Sequence, residues 1–322
     1  MHMKKSRRMS IFEFENNLSS VSSVDWARLA ALIDSEGTVY VNRTNPRGRA
    51  KSVQHILAVT IANTSTALMT WILDTFGGSV SEIESKGLQC YNWRVNARQA
   101  GVVLERCLEH MIIKREQART GIAFQATKAV NVSGEILGEQ VIELRDDTAR
   151  LIKQFNMALN HDYIPQSFDT TDEEFAMNLA TASPIDLVRL ATFVDAEGTI
   201  YINKAKRKNL TTHRWSLSVC VVNTSPQLLN WLLTNFGGRV YKHAEARKKC
   251  WMWKLGAIKS ELLLKYCSSY FLIKAEQAKL ALEFRTLIMQ GNKTKVTGEL
   301  LSKREDLRNQ IHLLNSPRSK IG

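Results

Sequence analysis

Two short segments of the chain end on an acid that could bind a metal ion. The stretch LAALIDSEG, from residue 29, and the stretch LATFVDAEG, from residue 190, each read as an apolar helix that stops at an acid and a glycine. The last acids are Glu36 and Glu197. A carboxylate at a helix C-terminus meets the unfavourable end of the helix dipole, and two such carboxylates brought together repel each other. A divalent cation relieves both penalties, and hard oxygen ligands suit Mg²⁺, which keeps several bound waters and can activate one of them.

Both acids belong to a longer internal repeat. LAALIDSEGTVYVN, from residue 29, shares eight of 14 positions with LATFVDAEGTIYIN, 161 residues later. The segments NTSTALMTWILDTFGGSV and IIKREQA, from residues 63 and 112, return 160 residues later as NTSPQLLNWLLTNFGGRV and LIKAEQA. A shared order of segments over this distance indicates a duplicated domain, and so a pseudo-dimer within one chain. By this symmetry Glu36 and Glu197 are expected to lie side by side.

The elements of each repeat follow from capping residues and hydrophobic periodicity. Ser183 and Pro184 predict the start of a helix that ends at Gly198. Ser23 and Gly37 hold the matching places in the first copy. Alternation after each glycine predicts two strands, a helix ended by a Gly-Gly pair, two more strands and closing helices. The strand residues predicted to face the core are Val39, Val41, Leu57, Val59, Ile61, Leu217, Val219 and Val221. The order α-β-β-α-β-β-α occurs twice, which predicts an α+β fold.

The composition indicates the class of binding partner and the cellular compartment. Forty-four Lys and Arg residues against 31 Asp and Glu residues give a formal charge of +13, which favours a polyanionic partner. No apolar run approaches the roughly 20 residues of a membrane span, and the basic N-terminus lacks the apolar core of a signal peptide, so we expect a soluble intracellular protein. Five cysteines without a C-x-x-C pair and seven scattered histidines argue against a disulfide framework and a zinc site. A bound metal would then have oxygen ligands.

Both repeats resemble the LAGLIDADG homing endonuclease family in its single-chain, two-repeat form. The nine-residue motif stands as LAALIDSEG and LATFVDAEG, and each copy continues with an F-G-G turn and a K-x-E-Q-A helix start. The resemblance implies two αββαββα domains related by a pseudo-twofold axis, whose antiparallel sheets form a DNA-binding saddle. We assign residues 1–128 to the first repeat domain, 129–182 to a helical connector and linker, and 183–322 to the second repeat domain.

The resemblance also implies the metal site. The last acid of each motif, Glu36 and Glu197, would be a metal ligand. The preceding backbone carbonyls would supply further oxygens, and they belong to Ser35 and Ala196. The earlier acids of the motif are assigned to local hydrogen bonding near the helix end, and they are Asp34 and Asp195. The expected cation is Mg²⁺, with Ca²⁺ supporting binding without cleavage and Mn²⁺ as a candidate substitute.

Two lysines complete the implied catalytic set. Lys114 and Lys274 match the basic residue that the family places beside the metal, where an ammonium stabilises charge growing on the phosphate. The sequence departs from the family at the polar strand residue that often orders the attacking water, where the repeats have Ala62 and Val222. Ordered waters or a repeated polar pair would have to substitute, and the pairs available are Asn63 with Asn223 and Gln117 with Gln277.

Outward strand positions and basic hairpins predict the surface that binds DNA. Side chains on the exposed parity of the strands can reach base edges in a major groove, and they are Tyr40, Asn42, Thr44, Arg94, Tyr201, Asn203 and Lys254. Basic hairpin residues suit phosphate contacts, and they are Arg47, Arg49, Lys51, Lys206, Arg207, Lys208, His213, Lys242, Arg247 and Lys248. The first-copy loop EIESKGLQC is not basic. The halves therefore diverge on the reading surface, which predicts a long, non-palindromic target.

Three functional classes fit these features. The preferred one is an intron-encoded homing endonuclease, a monomeric Mg²⁺-dependent hydrolase that cuts both strands of double-stranded DNA and leaves short 3′ overhangs, as the family does. The alternatives are an RNA-binding intron maturase on the same scaffold and a non-catalytic DNA-binding regulator. Both acids and both lysines favour the endonuclease over the regulator, because a pure binder has no need of paired carboxylates beside phosphate. The expected location is a microbial cytoplasm or an organelle, either mitochondrion or chloroplast.

Overall fold

The computed structural model describes residues 10–45, 53–85, 88–128, 138–157, 170–206, 213–243, 250–293 and 297–316. The chain divides into two units, Met1–Leu159 and Asn160–Gly322. Each unit contains one four-stranded antiparallel sheet with helices packed against one face. The predicted α+β architecture with two antiparallel sheets is therefore confirmed.

The first unit begins and ends with helices. Its elements are α1 (Ile11–Leu18), α2 (Ser23–Glu36), β1 (Gly37–Thr44), β2 (Gln54–Asn63), α3 (Thr66–Phe76), β3 (Ser79–Ser85), β4 (Leu88–Asn96), α4 (Ala97–Cys107), a 3₁₀ turn (Leu108–His110), α5 (Arg115–Lys128) and α6 (Glu139–Met157). The strands lie in the order β1-β2-β4-β3.

The second unit repeats this arrangement. Its elements are α7 (Asp172–Thr181), α8 (Pro184–Glu197), β5 (Gly198–Lys206), β6 (His213–Asn223), α9 (Pro226–Phe236), β7 (Arg239–Lys242), β8 (Trp251–Leu255), α10 (Ala257–Cys267), α11 (Ala275–Lys293) and α12 (Gly298–Asn315). The strands lie in the order β5-β6-β8-β7, which matches the first unit.

Helices α2 and α8 begin at side-chain caps. Ser183 caps α8, because its hydroxyl accepts from the Asp186 amide at 3.1 Å. In the first unit the cap is Ser22, which accepts from the Asp25 amide at 3.1 Å. The prediction of Ser23 is therefore wrong by one residue. The serine that stands three residues before an aspartate takes the cap in both units.

Both helices end where the chain turns directly into a strand. A Cβ atom at Gly37 would come within 2.6 Å of the Ile33 Cα, and one at Gly198 within 2.6 Å of the Val194 carbonyl oxygen. Backbone lies too close for any side chain, so glycine is required at both junctions. This close approach places the acid at the helix end directly before the first strand of the sheet.

The core of each unit lies between the sheet and the helices. The predicted core-facing strand residues that are fully buried are Val39, Leu57, Val59, Ile61, Leu217, Val219 and Val221, whereas Val41 is half-buried near the outer end of β1. Because these residues alternate along the strands, the other parity forms an outward face.

The Gly-Gly turn after α3 is fixed by a buried tryptophan. Trp93 donates its indole N–H to the Gly77 carbonyl at 2.7 Å. Gly78 has a φ of +84°, and a Cβ there would lie 2.8 Å from the Trp93 Nε1. Trp253 and Gly238 repeat this contact in the second unit. The F-G-G motif is thus needed for the turn and for space beside the indole.

The repeat extends further than the sequence comparison indicated. Helices α1 and α7 occupy equivalent places, each with a capping box, at Ser10 and Thr171. Helices α6 and α12 also correspond, since Asn156 donates to the Val39 carbonyl at 3.0 Å and Asn315 donates to the Ile200 carbonyl at 2.8 Å. The segment predicted as a connector contains both α6, which packs on the first unit, and α7, which packs on the second. In the described part of the chain, no helix is long and apolar enough to cross a membrane.

Candidate active sites at the ends of α2 and α8

The Glu36 carboxylate is held by a residue of the neighbouring strand. Glu36 is the last residue of α2 and is half-buried. Its Oε2 accepts a hydrogen bond of 2.6 Å from the Asn63 side-chain amide. The Asn63 Oδ1 accepts in turn from the Ser65 amide at 2.7 Å, and Ser65 caps α3. A chain of hydrogen bonds therefore orients the acid from the start of α3.

Asp34 has a different role from Glu36. It is buried, and its two carboxylate oxygens accept from the Ile112 amide at 2.6 Å and the Lys114 amide at 2.7 Å. Burial raises the pKa of Asp34, and the backbone hydrogen bonds and the Lys114 charge oppose that rise. These partners lie 78 and 80 residues further along the chain. Asp34 therefore fixes the distant segment that carries Lys114.

The Lys114 ammonium lies at the C-terminal end of α2. Its Nζ donates to the Ile33 carbonyl and to the Asp34 carbonyl, each at 2.7 Å. Carbonyls of the last helical turn have no helical partner and carry the negative end of the dipole. The lysine offsets that partial charge. A cation is thus built into the helix end that carries Glu36.

The second unit builds the same arrangement independently. Asp195 is buried and accepts from the amides of Leu272 at 2.7 Å and Lys274 at 2.8 Å. Burial raises the pKa of Asp195 as well, with the same opposing contacts. The Lys274 ammonium donates to the Asp195 carbonyl, and Glu197 ends α8 in a half-buried position. Each unit therefore brings one acid and one lysine to one helix end.

The two polar pairs that could replace the missing strand residue lie in different surroundings. Ala62, which is exposed, and Val222, which is half-buried, have apolar side chains and so contribute no polar group. Asn63 contacts the acid directly, whereas Gln277 is buried and its amide donates to the Leu314 carbonyl on α12 at 3.5 Å. The asparagine is therefore the better placed of the two candidates. The signal in the sequence is the N-T-S tripeptide, which both repeats contain.

The atoms at each helix end that could bind a metal ion are oxygens. They are the glutamate carboxylate and nearby backbone carbonyls, including those of the half-buried Ser35 and Ala196. Among the residues that the structure describes, no three His, Cys, Asp or Glu side chains gather as a metal cluster. An oxygen donor set with one carboxylate fits a hard cation that keeps several waters, as Mg²⁺ does.

The outward face of each sheet carries a cation over a tyrosine. The Arg94 guanidinium lies 5.9 Å from the Tyr40 ring centroid, and the Lys254 ammonium lies 5.9 Å from the Tyr201 ring centroid. The strands that bear the tyrosines also carry Asn42, Thr44 and Asn203 on this face. The predicted strand residues are therefore brought together on one face within each unit, with the same cation–π pair in both.

The predicted hairpin residues are only partly described. Lys206, His213 and Lys242 are exposed at strand ends, on the parity of the core-facing residues. The remaining predicted hairpin residues lie outside the described ranges, and they are Arg47, Arg49, Lys51, Arg207, Lys208, Arg247 and Lys248.

Comparison with known proteins finds the fold and no close relative in sequence. No protein-family model and no curated protein sequence matches the chain. The meganuclease I-AabMI bound to uncleaved DNA superposes with a TM-score of 0.62 and 17% identity, over 88% of this chain and 98% of that one. I-SmaMI bound to cleaved DNA gives 0.59 and 14%, over 92% and 99%. I-SmaMI bound to uncleaved DNA with calcium ions gives 0.62 and 17%, over 91% and 99%. The chain therefore has the fold of single-chain, two-domain LAGLIDADG homing endonucleases, which confirms the resemblance.

Proposed function

We propose that this chain is a site-specific DNA endonuclease that uses a divalent cation to hydrolyse both strands of a long, non-palindromic duplex, leaving short 3′ overhangs. One observation carries the proposal. Each unit places an acid, a lysine and a buried aspartate that fixes the lysine at the end of the same helix. A scaffold that only bound nucleic acid would not need a half-buried carboxylate at this helix end in both units. Because both acids belong to one chain, we propose that it acts as a monomer.

Within each site the residues would have separate roles. Glu36 and Glu197 would bind the cation, with the carbonyls of Ser35 and Ala196 as further ligands. A bound cation would activate a water and stabilise the leaving oxygen of the phosphodiester. Lys114 and Lys274 would stabilise negative charge on the phosphate from fixed positions, which costs little reorganisation.

Asn63 would hold the Glu36 carboxylate for metal binding. A hydrogen bond to a ligating carboxylate limits its rotation, and such outer contacts tune affinity for the metal. Asn63 is itself held by the Ser65 amide at 2.7 Å, so it is fixed before any ligand binds. We assign Asn63 a positioning role.

The outward sheet faces would read the DNA. Polar and cationic side chains there suit base edges in a major groove, and the strand ends carry cations suited to phosphates. The named structural neighbours are bound to DNA, and one of them was crystallised with calcium. These findings support duplex DNA as the substrate and a divalent cation as the cofactor.

The test is cleavage of a randomised duplex library with Mg²⁺, followed by sequencing of the cut ends. We expect one cleaved sequence family with short 3′ overhangs, and binding without cleavage when Ca²⁺ replaces Mg²⁺. Glu36→Gln and Glu197→Gln should each either abolish cleavage or confine it to one strand. Both variants should retain affinity for the selected duplex. The proposal fails if the parent cuts no duplex, or if the two variants cut both strands as fast as the parent.

A further inference from the structure

A buried arginine of the first unit has no acceptor for one edge of its guanidinium group. Arg145 lies on α6 and is only 4% exposed. Its Nε and Nη2 atoms are buried, and neither donates a hydrogen bond to any residue that the structure describes. Buried polar groups are nearly always paired, because an unpaired buried charge is costly. This guanidinium therefore requires an acceptor that the described chain does not supply.

The two nitrogens without a partner indicate what kind of acceptor would fit. Nε and Nη2 belong to the same edge of a guanidinium group, and their N–H groups point in nearly parallel directions. Two parallel donors of this kind match two oxygens of one oxyanion, such as a carboxylate or a phosphate. The open edge of Arg145 is therefore shaped for an oxyanion.

A second cation lies beside this guanidinium. Lys128 is the last residue of α5, which packs against α6, and its ammonium donates to the His55 carbonyl at 2.5 Å. Burial lowers the pKa of Lys128, and the charge of Arg145 lowers it further. The two positive charges are therefore close enough to repel each other. An anion with two negative charges would relieve this repulsion better than an anion with one.

The acid next to the arginine on α6 is already paired with other cations. The Asp146 carboxylate forms a hydrogen bond of 2.7 Å with the His55 Nε2 and an ion pair of 3.1 Å with the Arg43 Nε. His55 is fully buried on the core-facing parity of β2, so these contacts lie on the helix side of the sheet. Within the described ranges, no carboxylate lowers the cost of burying Arg145 or Lys128.

The second unit satisfies the equivalent arginine with its own backbone. Arg304 on α12 is the counterpart of Arg145, since α6 and α12 correspond. Its Nη2 donates to the Leu287 carbonyl on α11 at 2.9 Å. Ile288 stands where the first unit has Lys128. The open edge and the second cation are thus features of the first unit.

We infer that Arg145 and Lys128 bind a phosphate group on the helix side of the first unit, and that the second unit has no such site. Nε–H and Nη2–H of the arginine each donate to one phosphate oxygen, and the ammonium balances the second negative charge. A turn of the arginine side chain towards a ligand breaks no hydrogen bond of its buried edge. The site lies on the other side of the sheet from the outward face, so it does not depend on the proposed function.

The first experiment follows the arginine side chains by NMR. The full chain, with ¹⁵N-labelled arginine, is titrated with inorganic phosphate against chloride at constant ionic strength and a slightly alkaline pH, where phosphate is a dianion. The Nε–H signals are assigned from their loss in Arg145→Lys and Arg304→Lys. We expect a saturable shift of the Arg145 signal, with affinity lowered about tenfold in Lys128→Ile, which installs the second-unit residue.

The Arg304 signal is the internal control, since its Nε is also buried without a partner. It should not move, because its Nη2 is already engaged by a carbonyl. The inference is overturned if the Arg145 signal of the parent shows no saturable shift, or if folded Lys128→Ile binds phosphate as tightly as the parent. An equal shift of the Arg304 signal overturns it as well.

The second experiment separates the two sources of a phosphate group, which are a small phosphate compound and a nucleic-acid strand. The Arg145 signal is followed during titration with random-sequence oligonucleotides. A shift that saturates at a lower phosphate-group concentration than with inorganic phosphate would identify a nucleic-acid strand as the ligand. A shift with inorganic phosphate alone would identify a small phosphate compound. An identical shift with acetate, which carries one charge, would overturn the assignment of the site to phosphate.

Discussion

The two units keep one part of the molecule nearly unchanged and differ in another. The helix ends that carry Glu36 and Glu197 share a buried aspartate that accepts from the lysine amide, and a lysine ammonium that donates to the carbonyl of that aspartate. The outward sheet face, by contrast, has Ser218 and Arg239 in the second unit where the first has Ala58 and Ser79. The geometry at the helix end depends on closely packed backbone groups, so few substitutions are allowed there. Contacts to a ligand on an open face can change without loss of the fold.

The buried aspartates offer the strongest test of this equivalence. Asp34→Ala and Asp195→Ala each leave at least two backbone N–H groups without an acceptor. We expect each to lower the free energy of unfolding by roughly 2–4 kcal/mol. Urea denaturation of both variants measures this loss. If one variant is as stable as the parent, the two helix ends are not equivalent.

Substitution of the glycines at the helix–strand junctions should have the next largest effect on stability. Gly37→Ala and Gly198→Ala place a Cβ atom 2.6 Å from backbone atoms, so the helix end must move. We expect a loss of about 1–3 kcal/mol in each case. The melting temperature reports it, and alanine at Gly256, where the space is open, is the matched control. A normal melting temperature for both variants would mean that the junctions can relax.

A substitution at Asn63 tests whether this residue positions the Glu36 carboxylate or is needed for the fold. Asn63→Ala removes the hydrogen bond to Glu36 at the half-buried end of β2. We expect cleavage to slow by about tenfold, with a matching loss of Mn²⁺ affinity by calorimetry and an unchanged fold. Asn223→Ala is the counterpart in the second unit. Slower cleavage with unaltered metal affinity would show that Asn63 acts on water and not on the carboxylate.

The tyrosines of the outward faces should give the smallest effect. Tyr40→Leu and Tyr201→Leu each remove a cation–π contact of 5.9 Å. We expect stability to fall by about 0.5–1 kcal/mol in each variant. Chemical denaturation tests this, with Tyr266→Leu on α10 as a control. A much larger loss at one position only would reveal a packing role that the equivalence does not include.

Much of the fold could be predicted because the repeat displays each signal twice. The alternation around Val39 and Val219, the glycines that end α2 and α8, and the double-glycine turns are local patterns with local causes. The sequence does not show that α1 and α6 are the counterparts of α7 and α12, because their equivalence depends on packing and little on sequence identity. The cap was predicted at Ser23, one residue after the observed Ser22, because two serines stand next to each other there.

The site was less accessible to prediction than the fold. The acids and lysines were predicted from matching positions, but their connections join segments about 80 residues apart and run through backbone atoms. No residue type shows that Lys114 donates to the Ile33 carbonyl. The contact of Asn63 with Glu36 likewise depends on how β2 ends beside α2. Such contacts emerge only when the chain is folded.

The lysine on the helix end has a consequence for anyone who would turn this scaffold into a nickase or a bare binding module. Lys114 joins two carbonyls of α2 to the segment between the 3₁₀ turn and α5, so its removal is expected to weaken the fold as well as the chemistry. Glutamate is the safer position to silence, because Gln at residue 36 can still accept from Asn63. Evolution faces the same constraint: a descendant that abandons hydrolysis can discard its acids long before it can discard its ammonium groups.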